Sequence, residues 1–184
     1  NMAEAGSAIH ANRVRALAIL SQAQNQAETA FPVAELDLQQ SEGQMPETAG
    51  DFLAALGESR FRDMAVGRTL IGPHRTDLYG VYASKGVPAK DCSTGEQKAL
   101  LVSLILANAR ALSRDIGVAP LVLLDEVSAH LDANRRAALY DEICALKAQA
   151  WMTGTEAELF SDFAGRAQLF EVSENDNVSE VAHV

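Results

Sequence analysis

The chain has 184 residues, is 48% hydrophobic and carries a formal net charge of −10, enough chain for one sizeable core with a small helical appendage. Residues 1–90 hold 8 basic and 10 acidic side chains, a net of −2, and residues 91–184 hold 7 and 15, a net of −8. Such an acidic surface repels a phosphate backbone, so composition argues against non-specific DNA binding over most of the molecule.

Residues 3–29 read as a helix, with Ile9, Val14, Leu17, Ala18 and Leu20 as its apolar stripe and Arg13 and Arg15 on the polar side. Phe31-Pro32 ends that pattern. Val33 to Leu38 reads as a short strand, and 39–50, rich in Gln, Ser, Glu, Gly and Pro, as a loop. Residues 51–66 read as a second helix carrying Phe52, Leu53, Leu56, Phe61 and Met64. A boundary falls near residue 67, dividing a partial helical arm (1–66) from an α/β lobe (67–184).

The lobe alternates strands and helices. Leu78 to Ser84 reads as a half-buried strand alternating Tyr79, Val81 and Ala83, and 94–114 as a long helix. Residues 120–125 read as a buried strand, and Asp132 caps a helix through Leu146 with Leu139, Ile143 and Leu146 inward. Gln149 to Thr153 reads as the next parallel strand and Ala157 to Phe163 as a short helix. Gln168 to Ser173 and Asn177 to Ala182 form a hairpin around a turn at 174–177.

The chemistry concentrates at Leu121-Val-Leu-Leu-Asp125-Glu126. Four apolar residues suit a strand buried on both faces of a parallel sheet. Two carboxylates at its carboxyl end stand at the sheet edge where open α/β sheets take their ligands. With Ser128-Ala129-His130-Leu131-Asp132 behind it, the segment resembles the Walker B strand and D-loop of ABC-type ATPases.

Upstream, Ser93-Thr-Gly95-Glu96-Gln97-Lys98 opens the helix whose apolar positions are Leu100, Leu101, Leu104, Ile105, Ala107, Ala111 and Leu112. Ser93 and Glu96 have capping-box spacing, and a helix N-terminus attracts phosphate. Placed before the Asp-Glu strand, the segment resembles the ABC signature. The phosphate-cradling Gly-x-x-x-x-Gly-Lys-[Ser/Thr] segment has no counterpart, since no glycine precedes a lysine. The chain is therefore expected to be the C-terminal part of a larger ATPase, inactive towards ATP by itself.

Gly72-Pro73-His74-Arg75-Thr76-Asp77-Leu78, then the signature, then Leu-Leu-Asp-Glu, together resemble the RecF family of SMC-like bacterial recombination mediators over residues 70–172. The resemblance implies an α/β fold, the C-terminal lobe of an ABC-type (P-loop) ATPase head with a parallel sheet core, plus a helical arm segment. It implies ATP and Mg²⁺ as cofactors. Asp125 would hold the metal through a water, and Glu126 would act as general base. Ser93, Gly95, Glu96 and Gln97 would meet nucleotide in trans, and Ser128, His130 and Asp132 would belong to the D-loop. After the next strand, where many relatives carry a switch histidine, stand Thr153 and Thr155. The implied partners are DNA at single-strand/double-strand junctions, RecR and RecO, and a second head recruited by ATP, with slow hydrolysis timing RecA loading.

The alternatives are another SMC-like or ABC head, and a non-enzymatic module supplying a signature helix in trans. The absent switch histidine and the Gly-Pro-His-Arg segment favour the RecF type. Arg60, Arg62, Arg68 and Arg75, interrupted by Asp63, read as a solvated helix face before a DNA patch. Cys92, Cys144 and the four histidines lack metal-site spacing. No apolar run approaches the about 20 residues of a membrane span. A reducing cytoplasm is the expected compartment.

Overall fold

A computed structural model describes residues 1–128 and 131–184. The element order is α1 (Met2–Asn25), β1 (Ala34–Gln40), α2 (Ala49–Val66), a 3-10 turn (Pro73–Arg75), β2 (Thr76–Tyr82), β3 (Val87–Pro88), α3 (Thr94–Ile116), β4 (Val122–Leu124), α4 (Ala133–Leu146), β5 (Ala150–Met152), a 3-10 helix (Ala157–Phe163), β6 (Phe170–Asn175) and β7 (Val178–His183).

The two strands that frame the paired acids run parallel. β4 and β5 pair Val122 with Ala150, Leu123 with Trp151 and Leu124 with Met152. Period-two alternation sends Val122 and Leu124 into the main core with Val102, Leu106, Leu139, Tyr140 and Ile143. Leu123 and Trp151, directly opposite each other, point the other way and are 70% and 55% exposed. The strand expected to be buried on both faces is thus covered on one. Core packing against α3 and α4 involves only the Val122–Leu124 face.

β2 does not join that parallel sheet. It pairs antiparallel with β1 over Ala34↔Tyr82 to Gln40↔Thr76, and with β3 through Val81↔Pro88 and Tyr82↔Val87. The strand starts two residues before the expected Leu78; Tyr79, Val81 and Ala83 are half-buried as expected, and Tyr82 between them is buried. Pairing sets this. Tyr82 lies opposite buried Ala34 and packs with Leu100, while the Ala83–Gly86 turn closes on Tyr82 O. The β1–β2 pairing also crosses the boundary at residue 67.

α3 starts as its sequence dictates. Ser93 Oγ accepts the Glu96 N–H at 3.4 Å, and Glu96 Oε2 accepts the Ser93 N–H at 2.8 Å. Its buried residues are not the single stripe expected. Ala99, Leu100, Val102, Ser103, Leu106, Ala107 and Ala109 are inside, whereas Leu101 is 59% and Ile105 39% exposed. The helix serves two cores at once, Leu100 with the antiparallel sheet and Val102, Leu106 and Ala109 with β4 and α4, which rotates and widens the buried surface.

α1 departs similarly. It ends at Asn25 rather than near 29, and it buries Ala3, Gly6, Ala23 and Gln24 while Ile9 and Val14 stay exposed. Small residues matter because α2 packs closely. A Cβ on Gly6 would fall 2.2 Å from Phe52 Cε1. Gln24 then ties α1 to β1, donating to Ala34 O at 3.2 Å and accepting from Ala34 N at 2.9 Å. At the other end of the chain β6 and β7 form the expected hairpin, with a tighter turn. Asp176 and Asn177 take φ of 51° and 60°, the left-handed pair that matches strand twist.

Candidate active site

The paired acids stand where β4 stops. Asp125 is exposed and Glu126 half-buried. Beyond Met152, β5 continues the ladder by one bond, Thr153 N–H to Leu124 O at 3.1 Å, so the two strand ends are clamped together. The Thr153 hydroxyl donates to Asp125 Oδ1 at 2.5 Å and accepts the Glu126 N–H at 3.0 Å. Glu126 has φ of +53°, a left-handed backbone that L residues seldom adopt. Thr155, also exposed, follows two residues on.

These residues fit Mg²⁺. An exposed carboxylate at a strand end is a hard oxygen donor, and Mg²⁺ is commonly bound by one or two carboxylates together with substrate phosphates. No cluster of three or more His, Cys, Asp or Glu forms a protein-only metal cage among the described residues.

The segment behind the acids turns inward. Ser128 is fully buried, its Oγ 3.0 Å from the Tyr140 hydroxyl, which also reaches Leu159 O at 2.6 Å. Tyr140 stacks on Phe163 with ring centroids 3.9 Å apart, and its burial pushes the phenol pKa up. Leu131 is buried, and Asp132 caps α4 by accepting the Arg135 N–H at 2.9 Å. His130 lies outside the described residues.

The signature segment forms a second site. Ser93 Oγ donates to Glu96 Oε2 at 2.7 Å, and Lys85 pairs with the other Glu96 oxygen. The Lys85 hydrogen bond, followed by those from the Ser93 side chain and backbone, lowers the Glu96 pKa to about 2. Gln97 Nε2 donates to Lys90 O at 3.2 Å and Cys92 O at 3.1 Å, bracing the loop that enters α3. Gly95 faces open space within 4 Å. Among the described residues no hydrogen bond joins this site to Asp125 or Glu126.

Lys85 was not legible as part of this site. It lies eleven residues from Glu96 in the β2–β3 turn, and only antiparallel pairing brings it there. The Gly72–Asp77 segment forms a braced turn. Gly72 has φ of +145°, Arg13 Nη1 donates to Pro73 O at 2.6 Å, and His74 Nε2 lies 2.8 Å from Thr69 O. Arg60, Arg62 and Arg68 are exposed, Arg62 pairing with Glu42 at 3.6 Å, whereas Arg75 is half-buried.

The DNA replication and repair protein RecF of Brucella abortus is 48% identical over 183 residues, 94% of this chain and 47% of that protein. The chain belongs to the RecF family. It spans about half the length of the curated relatives it matches. A solved structure of the recombination mediator protein RecF-ATPrS in the RecFOR pathway superposes with TM-score 0.71 at 25% identity, covering 97% of this RecF-family chain and 48% of the other. A structure of SMC ATPases, from work on their ATP-driven dimerization and DNA stimulated activation, matches with TM-score 0.55 at 17% identity over 92% of this chain and 86% of that one, a likeness of fold. No family model matches. The fold is the α/β C-terminal lobe of an ABC-type ATPase head, as the motif order implies. No helix among the described residues is long and apolar enough to cross a membrane.

Proposed function

We propose that this chain is the signature and Walker B part of a RecF-type DNA-repair ATPase. The observation that carries the reading is the Asp125–Glu126 pair at the carboxyl end of a parallel strand, within a chain 48% identical to a DNA replication and repair protein. Asp125 offers its carboxylate to Mg²⁺ through water. Glu126 orients and deprotonates the attacking water. Mg²⁺, when bound, neutralises charge developing on the phosphates. Ser93, its hydroxyl held by Glu96, shapes the N-terminus of α3, whose first-turn N–H groups face the nucleotide of a second head, with Gly95 leaving room for it. The bare face of β4 and β5, Leu123 and Trp151, receives the part of the head that holds the phosphate loop. Dimerisation on ATP, binding at DNA gaps, and work with RecR and RecO to load RecA complete the reading.

The test is made in full-length protein. Glu126→Gln should preserve ATP-driven dimerisation and abolish most turnover, while Ser93→Arg should preserve ATP binding and block dimerisation. Normal turnover in the first variant, or normal dimerisation in the second, would remove the corresponding assignment. Residues 1–184 alone should show no tight Mg²⁺-dependent ATP binding by calorimetry.

A further inference from the structure

We infer that Thr153 is a positioning residue for the paired acids, its hydroxyl locking Asp125 and Glu126 into one register. The inference rests on the ATPase reading above. A threonine hydroxyl carries one hydrogen. Here that hydrogen goes to Asp125 Oδ1 at 2.5 Å, the short distance of a charge-assisted bond. One oxygen lone pair accepts the Glu126 N–H at 3.0 Å. What remains is acceptor capacity alone, and a nucleotide phosphate oxygen needs a donor. In this arrangement Thr153 does not act as a phosphate-sensing switch. It acts on the acids.

The backbone supports the same role independently. Glu126 sits at φ of +53°, and such a conformation persists in a non-glycine residue when neighbours over-determine it. Among the described residues, Thr153 makes the one side-chain hydrogen bond to the Glu126 backbone. Thr153 is itself anchored, because its N–H is bonded to Leu124 O at 3.1 Å. Packing does not explain the arrangement, since Thr153 and Asp125 are both exposed. The ladder bond fixes the threonine, and the threonine fixes the two acids that the strand end would otherwise leave free in water.

The test compares Thr153→Val, which keeps the branched shape without the hydroxyl, and Thr153→Ser, which keeps the hydroxyl, in full-length protein. Two readouts are taken: hydrogen exchange of the Glu126 amide, and the Mg²⁺ concentration giving half-maximal ATP turnover. Thr153→Val should speed the exchange and raise the Mg²⁺ requirement, each by about tenfold, the effect of losing one hydrogen bond of ordinary strength. Thr153→Ser should restore both towards wild type. Wild-type exchange and wild-type Mg²⁺ dependence in Thr153→Val would overturn the inference while leaving the ATPase reading intact, provided Glu126→Gln abolishes turnover. Full turnover in Glu126→Gln would remove the role assigned to Glu126, and absence of ATP turnover in the wild-type full-length protein would remove the ATPase reading itself.

Discussion

Lys85, in the turn between β2 and β3, is ion-paired with Glu96 in the first turn of α3. The pair links the antiparallel sheet to the signature helix. It also favours the ionised form of Glu96, whose Oε2 accepts both the N–H and the O–H of Ser93.

The pair sets a pH dependence. The Glu96 pKa falls from 4.5 to about 2 in the folded chain. A depressed carboxyl contributes stability that is present above its unfolded value and lost as pH falls through the folded one. The contribution should therefore be complete above about pH 4.5 and decay towards pH 2. Lys85→Met should raise the Glu96 pKa towards 4.5 and move that decay up in pH. Carboxyl titration by NMR reads the shift directly. An unmoved Glu96 titration would contradict the pairing.

Gly72 and Gly57 should respond to alanine with opposite signs. At Gly72 φ is +145°, and a Cβ would lie 3.1 Å from His74 Nδ1 and 3.3 Å from Phe52 Cζ. Gly72→Ala should destabilise by about 1–3 kcal/mol. Gly57 is inside α2 with nothing within 4 Å of its Cβ position, so Gly57→Ala should stabilise by about 0.5–1 kcal/mol. Urea unfolding of both variants checks the pair.

Tyr140→Phe should destabilise by about 1–3 kcal/mol, because it leaves Leu159 O and the buried Ser128 hydroxyl without their partner. The Phe163 stack should survive, since the ring is unchanged. A double-mutant cycle with Ser128→Ala should show coupling between the two sites. Additive losses would mean that the Tyr140–Ser128 bond contributes nothing.

Leu139→Ala should lose about 2–5 kcal/mol. Leu139 is fully buried in the core that supports β4, and truncation leaves a cavity behind the strand carrying the acids. Exposed Leu123→Ala should change stability by under about 0.5 kcal/mol in this chain, although its sequence neighbours are core. Thermal unfolding separates the two.

Local chemistry was readable from the residues themselves. The Ser93–Glu96 capping box, the Asp132 cap, the α4 bounds, the parallel β4–β5 pair and the terminal hairpin follow from side chains that bond to backbone within three residues, or from short apolar runs. The order of the Gly-Pro-His-Arg, signature and Asp-Glu segments carried the family, because each segment holds its meaning within a few residues.

α4 buries Leu139 and Ile143 as its periodicity predicts, but which face α1, α3 and β2 bury was decided only by the tertiary structure. α3 is shared by two cores, α1 buries alanine and glycine because Phe52 comes close, and β2 turns Tyr82 inward because β1 lies beside it. The same holds for the contacts that tune the site. Lys85 reaches Glu96 and Thr153 reaches Asp125 and Glu126 across eleven, 28 and 27 residues of sequence. Periodicity records how apolar a face is, and a capping box records a local bond. Neither records which distant hydroxyl or ammonium the folded chain brings to a carboxylate, because strand pairing and packing set that distance.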